Sequence, residues 1–264
     1  MPPTLDDLIH VARQAGEILR RSFRQNMRVD YKSLIDLVSD VDRQSERLLL
    51  DYIHQHFPGD SVQAEESGVL PGSSERVWYV DPLDGTVNYL HGIPIYSVSI
   101  AYSAGGTLRL GVVYDPAHDE CFSAELGKGA FLNGQPIHPA SASDLDHALL
   151  VTGFSYDIRN ISENNLDNYA YFALHSQGVR RLGSAALDLC YVACGRLDGF
   201  WELFLQPWDL AAGALIAMEA GAVVTNTDGG PDFITPSPSV IAANHQLHPL
   251  LLAGLQRNQA SPAA

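Results

Sequence analysis

The run Asp81-Pro82-Leu83-Asp84-Gly85-Thr86 concentrates the chemistry of this chain. Two carboxylates stand three residues apart directly after Val77-Trp78-Tyr79-Val80, an apolar run that reads as a buried strand. Pro82 fixes the backbone between them, Gly85 permits a tight turn, and Thr86 offers a hydroxyl where a helix can begin. Hard divalent cations take clustered oxygen ligands, and a helix N-terminus attracts phosphate. The run therefore predicts Mg2+ and a phosphorylated substrate held side by side.

Two more carboxylate groups fall at the ends of predicted elements. Glu65 and Glu66 follow the strand pattern Ser61-Val62-Gln63-Ala64, and Asp209 follows Trp208 at the start of the helical stretch containing Ala211-Ala212-Gly213-Ala214. Taken singly, each has a plainer reading: a solvated loop for the glutamates, a helix N-cap for Asp209, a turn built on Pro and Gly for Asp81–Thr86. Their common placement at element ends, where α/β active sites gather, favours one shared site. None of the ten histidines has ligand spacing: His54 and His56 fall on different faces of a predicted helix, and His91 reads as structural. Oxygen-rich ligation selects Mg2+ over Zn2+.

The elements that must position these groups are legible in outline. An amphipathic helix opens the chain with Leu5, Leu8, Ile9, Ala12, Ile18, Leu19 and Phe23 on its apolar face and Thr4 as cap. A second runs from near Asp40 to His56, capped by Ser39 or Asp40 and burying Leu48, Leu49 and Ile53; Tyr31–Val38 between them reads as a loop or short hairpin. Strands are expected at about 61–64, 77–81, 95–103, 108–114 and 120–125, forming a largely antiparallel sheet. From about residue 148, strands at 148–152, 179–182, 198–203, 222–225 and 239–243 are interleaved with helices at 164–176, 184–195, 208–220 and 247–256. That alternation predicts a second α/β layer with parallel pairing. Residues 1–147 and 148–264 are read as two halves of one compact unit, the first carrying the main metal motif and the second completing the site.

The 264 residues, 46% of them hydrophobic and 18% charged, suffice for a large α/β core. A net charge of −15 disfavours binding to nucleic acid or anionic membranes, and bound cations would invert the sign of an acidic pocket for an anionic substrate. Cys121, Cys190 and Cys194 have neither disulfide nor metal spacing, and no leader or membrane-length apolar run is evident. A cytoplasmic protein is expected.

The run Trp78–Thr86 resembles the motif of the inositol monophosphatase family, a branch of the lithium-sensitive, Mg2+-dependent phosphatases. The likeness extends through Ala64-Glu65-Glu66-Ser67, Asn88–Pro94, the hairpin-like Gly127–Gly134, Trp208–Gly213 and Glu219–Ala222. It implies a five-layered αβαβα sandwich, usually homodimeric, that hydrolyses phosphate monoesters by direct water attack, without a phosphoenzyme. By the same resemblance, Glu65, Asp81 and the Leu83 carbonyl hold a first Mg2+; Asp81, Asp84 and Asp209 hold a second; Glu65 meets a weaker third through water. Asp42 and Thr86 match the pair that orients or deprotonates the attacking water, with Glu65 beside them. Lys32 and Asp36 match the family's mobile loop. Asp84, Gly85, Thr86, Ser184, Ala185, Glu202 and Asp209 match the groups that grip the substrate, a small phosphorylated polyol or sugar.

Neighbouring readings remain distinct. Family relatives act on histidinol phosphate, fructose 1,6-bisphosphate, NADP or 3′-phosphoadenosine compounds. A second phosphate would want basic residues, for which Arg180, Arg181 and Arg159 are available, though a structural or interfacial role is expected of them. Haloacid dehalogenase-like phosphatases also carry an Asp-Gly-Thr run, but their two aspartates are two residues apart rather than three. A non-catalytic partner of the transcription machinery is the alternative outside enzymology.

Overall fold

The computed structural model describes residues 2–25, 29–31 and 37–257. Buried Leu8, Val11, Ala12, Ala15 and Leu19 recur every three to four residues, which makes helix α1 (Leu5–Ser22) amphipathic. Strands β1 (Val29–Tyr31) and β2 (Leu37–Ser39) pair antiparallel; residues 32–36 of the expected loop or short hairpin, Lys32 and Asp36 among them, lie outside the described residues. Helix α2 (Asp40–His56) starts at Ser39, whose hydroxyl accepts the Val41 and Asp42 amides. The Asp42 carboxylate in turn accepts the Ser39 amide, closing a capping box.

Next come β3 (Ser61–Ala64), β4 (Gly68–Leu70), β5 (Arg76–Asp84), the short helix α3 (Thr86–Leu90), β6 (Ser97–Ala104), β7 (Thr107–Asp115), β8 (Glu120–Glu125), β9 (Ala130–Leu132) and β10 (Gln135–Pro136). These strands form a sheet in the order β10-β9-β8-β7-β6-β5-β3-β4, antiparallel except between β3 and β5. The expected predominance of antiparallel pairing is therefore correct. Strand β5 runs beyond its apolar stretch to Asp84, and it is bulged there. Asp81 lies opposite Ser99 and Asp84 opposite Ser97, three residues against two. Side chains alternate along a strand, so residues three apart would face opposite ways; the extra residue lets Asp81 and Asp84 serve one side.

The rest comprises β11 (Leu149–Thr152), α4 (Leu166–His175), β12 (Gly178–Arg180), α5 (Ala185–Ala193), β13 (Gly199–Leu203), α6 (Pro207–Ala220), β14 (Val223–Thr225), β15 (Ser239–Ala243) and α7 (His248–Gln256). The second sheet has the order β12-β11-β13-β15-β14. Here the expectation of parallel pairing is only half met: β11 is parallel to β12 and β13, but β15 is antiparallel to β13 and β14. A parallel return needs a crossover, usually a helix, and no helix separates β14 from β15.

Five layers result. Helices α1 and α2 cover one face of the large sheet, α5 and α6 fill the space between the sheets, and α4 and α7 cover the far face of the small sheet. Three cores follow: one around Leu49, Trp78 and Val98, one around Leu189, Leu215 and Phe200, and one around Phe172, Trp201 and Leu251. Helix α6 is buried almost all round, from Leu210 to Ala217, and its small residues admit it between two sheets. A Cβ on Gly111 of β7 would stand 2.9 Å from the Ala212 carbonyl oxygen. This is the αβαβα sandwich.

Candidate active site

The β5 bulge opens into a cavity of about 430 Å³ between the layers. Glu65, Asp81, Leu83, Asp84, Gly85 and Thr86 line one side, while Ser184, Ala185, Glu202 and Asp209 line the other. Of the predicted site residues, Asp42 alone is absent from the lining. It is fully buried and reaches the cavity through Thr86, whose Oγ1 lies 3.2 Å from Asp42 Oδ1 and 2.9 Å from the Leu83 carbonyl oxygen. The Thr86 hydroxyl has one proton to give and two acceptors within reach.

Each lining residue is held by identifiable contacts. The Glu65 amide bonds the Val80 carbonyl at 3.2 Å, tying the end of β3 to β5. Leu83 N donates to Asp81 Oδ1 at 2.9 Å. Asp84 Oδ2 accepts from Ser184 Oγ at 2.5 Å and from the Ala186 amide at 2.9 Å, joining the end of β5 to the start of α5. Asp209 occupies the first turn of α6 rather than its cap, and its carboxylate accepts the Gln206 amide at 2.7 Å. Gly85 adopts φ +90°, and a Cβ there would lie 2.8 Å from the Ile95 carbonyl oxygen, so the turn requires glycine on both counts. Asn88 Nδ2 donates to the Ile95 and Leu182 carbonyl oxygens at 2.9 and 2.7 Å, anchoring the segment that leads into Ser184.

Electrostatically the site is a set of carboxyls that oppose one another's ionisation. Burial raises Asp81 well above the usual carboxylate range, and the charges of Glu65, Asp84 and Asp209 add to it. Burial raises Asp209 likewise, with the Gln206 amide opposing and Asp84, Glu65 and Glu202 reinforcing. Asp84 is pushed to about 6 by burial, against the hydrogen bonds from Ser184 and Ala186. Glu202 reaches about 8, again through burial, with Arg181 holding it down in part. Asp42 is raised by burial against its Ser39 bonds.

A convergent group of oxygen donors that repel one another is the chemistry of a hard divalent cation site. Glu65, Asp81, Asp84, Asp209 and the Leu83 carbonyl supply such donors, so the residues fit Mg2+ in kind. Among the described residues no three acidic, histidine or cysteine side chains already form a closed cage.

A sequence profile of the inositol monophosphatase family matches residues 3–260. The chain belongs to that family. It is 41% identical to the inositol-1-monophosphatase of Mesorhizobium japonicum over 96% of each chain, and 40% identical to the Nus factor SuhB of Pseudomonas aeruginosa over 97% of each. Among solved structures it is similar to the extragenic suppressor protein suhB of Bartonella henselae, with TM-score 0.90 and 37% identity over 96% of this chain and 98% of that one. It is also similar to the inositol monophosphatase of Anabaena, with TM-score 0.87 and 40% identity over 96% and 95%.

Several lining residues escaped the sequence reading. The loop Gly153-Phe154-Ser155-Tyr156-Asp157 follows β11 into the cavity, and Asp188, Phe204, Gln206 and Trp208 also line it. Gly153 had a signal only in retrospect: a Cβ there would meet the Glu202 carboxylate at 2.1 Å. Arg181, expected to be structural, lines the cavity, whereas Arg180 and Arg159 do not. Behind the site, Glu46 accepts the Glu66 amide at 2.8 Å and Ser67 Oγ at 2.5 Å, and Ser45 Oγ donates to the Pro82 carbonyl oxygen at 2.9 Å. Their signal was polar residues on the inward face of an amphipathic helix.

Proposed function

We propose that this chain is a Mg2+-dependent phosphate monoester hydrolase and that an inositol monophosphate is its substrate. Family membership supports a hydrolase of the phosphatase class. The observation that carries the finer reading is a single cavity with Glu65, Asp81, Leu83, Asp84 and Asp209 gathered near the Gly85–Thr86 turn and Glu202 on its other side. In this reading those five residues hold the ions. Bound Mg2+ supplies charge neutralisation and lowers the pKa of attacking water toward neutrality. Were the Leu83 carbonyl to hold an ion, the Thr86 hydroxyl would keep its hydrogen bond to Asp42, and Thr86 Oγ1 would offer a lone pair that orients a water. Backbone N–H groups at the start of α3 face the phosphate. Ser184, Ala185 and Glu202 receive the alcohol side, Glu202 as acceptor for a ring hydroxyl. The cavity takes residues from both sides of residue 147, and in this reading 1–147 and 148–264 act as one compact unit.

Phosphate release with and without Mg2+, from inositol 1-phosphate in parallel with fructose 1,6-bisphosphate, histidinol phosphate, NADP and 3′-phosphoadenosine 5′-phosphate, tests the proposal. Mg2+-dependent release led by inositol 1-phosphate is expected. Release led by another ester reassigns the substrate, and release from none of them rejects the catalytic reading. The homodimer belongs to the same proposal, and a solution mass of twice 28.7 kDa is expected by light scattering.

A second reading rests on the likeness to proteins named Nus factor SuhB, here a role as a partner of the transcription machinery. Asp84→Asn in the host separates the two. Hydrolysis as the role predicts the phenotype of a deletion, whereas a binding role predicts normal growth with a stably folded variant.

A further inference from the structure

Asp188 is 1% exposed, sits in the first turn of α5 and lines the cavity. Its Oδ1 has no hydrogen-bond partner, and it is the one charged residue in Ala185-Ala186-Leu187-Asp188-Leu189-Cys190-Tyr191-Val192-Ala193. A buried oxygen without a partner destabilises the fold, so its presence in an apolar helix calls for a reason. Ser184 and Asp188 are one turn apart, with the Asp188 amide 2.9 Å from the Ser184 carbonyl oxygen, so they share a helix face. That face carries Ser184, which holds Asp84, at one level and Asp188 at the next, toward Glu202 and Arg181.

We propose that Asp188 is a substrate-binding carboxyl that accepts a second hydroxyl on the alcohol side of the ester, beyond the one taken by Glu202. The assignment rests on the phosphatase reading and narrows its substrate class to polyols with two hydroxyls on the side remote from the phosphate. Burial raises both carboxyls, which weakens their repulsion of a second phosphate, and Arg181 beside them attracts one, so charge alone does not exclude a bisphosphate here. Arg181, lining the same end, disfavours an ammonium group such as that of histidinol phosphate. A neutral hydroxyl donor suits carboxyls that burial shifts toward their protonated forms, and it would complete the bonding of Oδ1.

The test compares full-length wild type with Asp188→Asn, using kcat/KM for inositol 1-phosphate and for p-nitrophenyl phosphate, which has no hydroxyl on its leaving group. The ratio of the two is expected to fall about tenfold in the variant, mainly through KM, since a site built to bond a hydroxyl discriminates by that bond. Asp188→Leu, which removes the unsatisfied oxygen, is expected to lower the ratio further while melting no lower than wild type. A ratio unchanged within twofold in both variants, with polyol turnover intact, overturns the assignment alone and makes Asp188 structural. A loss greatest with histidinol phosphate also overturns it, in favour of an ammonium partner. A wild type that hydrolyses no polyol phosphate overturns the parent reading and this one together.

Discussion

Glu202 is buried against the Cα of Gly153, where burial lifts its carboxyl from an ordinary value of 4.5 to about 8 despite Arg181 nearby. A carboxyl whose folded pKa lies above its unfolded value binds its proton more tightly in the folded chain. The stability it contributes is full below the unfolded value and is lost as pH rises through about 8. In chelator, therefore, the wild type should lose stability between roughly pH 5 and pH 9, and Glu202→Gln should remove on the order of a few kcal/mol of that fall. Urea denaturation across this range measures it; superimposable profiles for the two proteins would mean that Glu202 ionises normally. The same variant keeps the size of the side chain and changes what it can accept from a hydroxyl, so its stability and its KM should move for separate reasons.

At the scale of elements, α2 acts as a template. Asp42, Ser45 and Glu46 lie on one face and bond, respectively, Thr86, the Pro82 carbonyl and the Glu66–Ser67 turn. Glu46→Ala should weaken Mg2+ binding about 10- to 100-fold by releasing the turn that carries Glu65, without removing any ligand. Titration of Mg2+ against melting temperature reads this, and an unshifted midpoint would detach Glu46 from the site. Helix α6 offers a test in which two effects oppose. Gly213→Ala gains about 1 kcal/mol of helix propensity. Its new Cβ, however, would stand 2.7 Å from Leu189 Cβ, inside a core where overpacking costs about 1–3 kcal/mol. Because the neighbouring atom is the root of a side chain and not its flexible end, the clash should win, with a net loss of about 1 kcal/mol by denaturation. These elements differ in how far the sequence foretold them. Strand β5 was legible because its apolar run and its carboxylates are local; the bulge that puts both carboxylates to one use was not, since it exists only in register with Ser97 and Ser99. Strand β15 was placed correctly but its direction was not, because direction depends on whether the connection from β14 contains a helix.

For the molecule as a whole, the site is assembled from segments more than a hundred residues apart, and this governed what could be foreseen. Asp81, Asp84 and Asp209 carry local motifs, so their sharing of one cavity could be expected; Asp188 has no motif, and its surroundings are made by Arg181 and by Glu202 of β13. The net charge of −15 adds a further question, whether Mg2+ acts at one site or merely screens the whole surface. The two have different signatures. General screening depends on ionic strength, so NaCl at matched ionic strength should reproduce it. Binding at a site follows its dissociation constant, and saturation to a hundredfold over that constant contributes about 2.7 kcal/mol. For a chain of this length that corresponds to a rise of about 5–10 °C in Tm. We expect Mg2+ to give this rise over matched NaCl, and Asp209→Asn to abolish the difference. That variant should also melt higher than wild type in chelator, since it removes one of the buried carboxyls that oppose each other's ionisation. An equal response to both salts, or a variant less stable than wild type in chelator, would contradict the view that these carboxylates are held together for a cation and not for the fold.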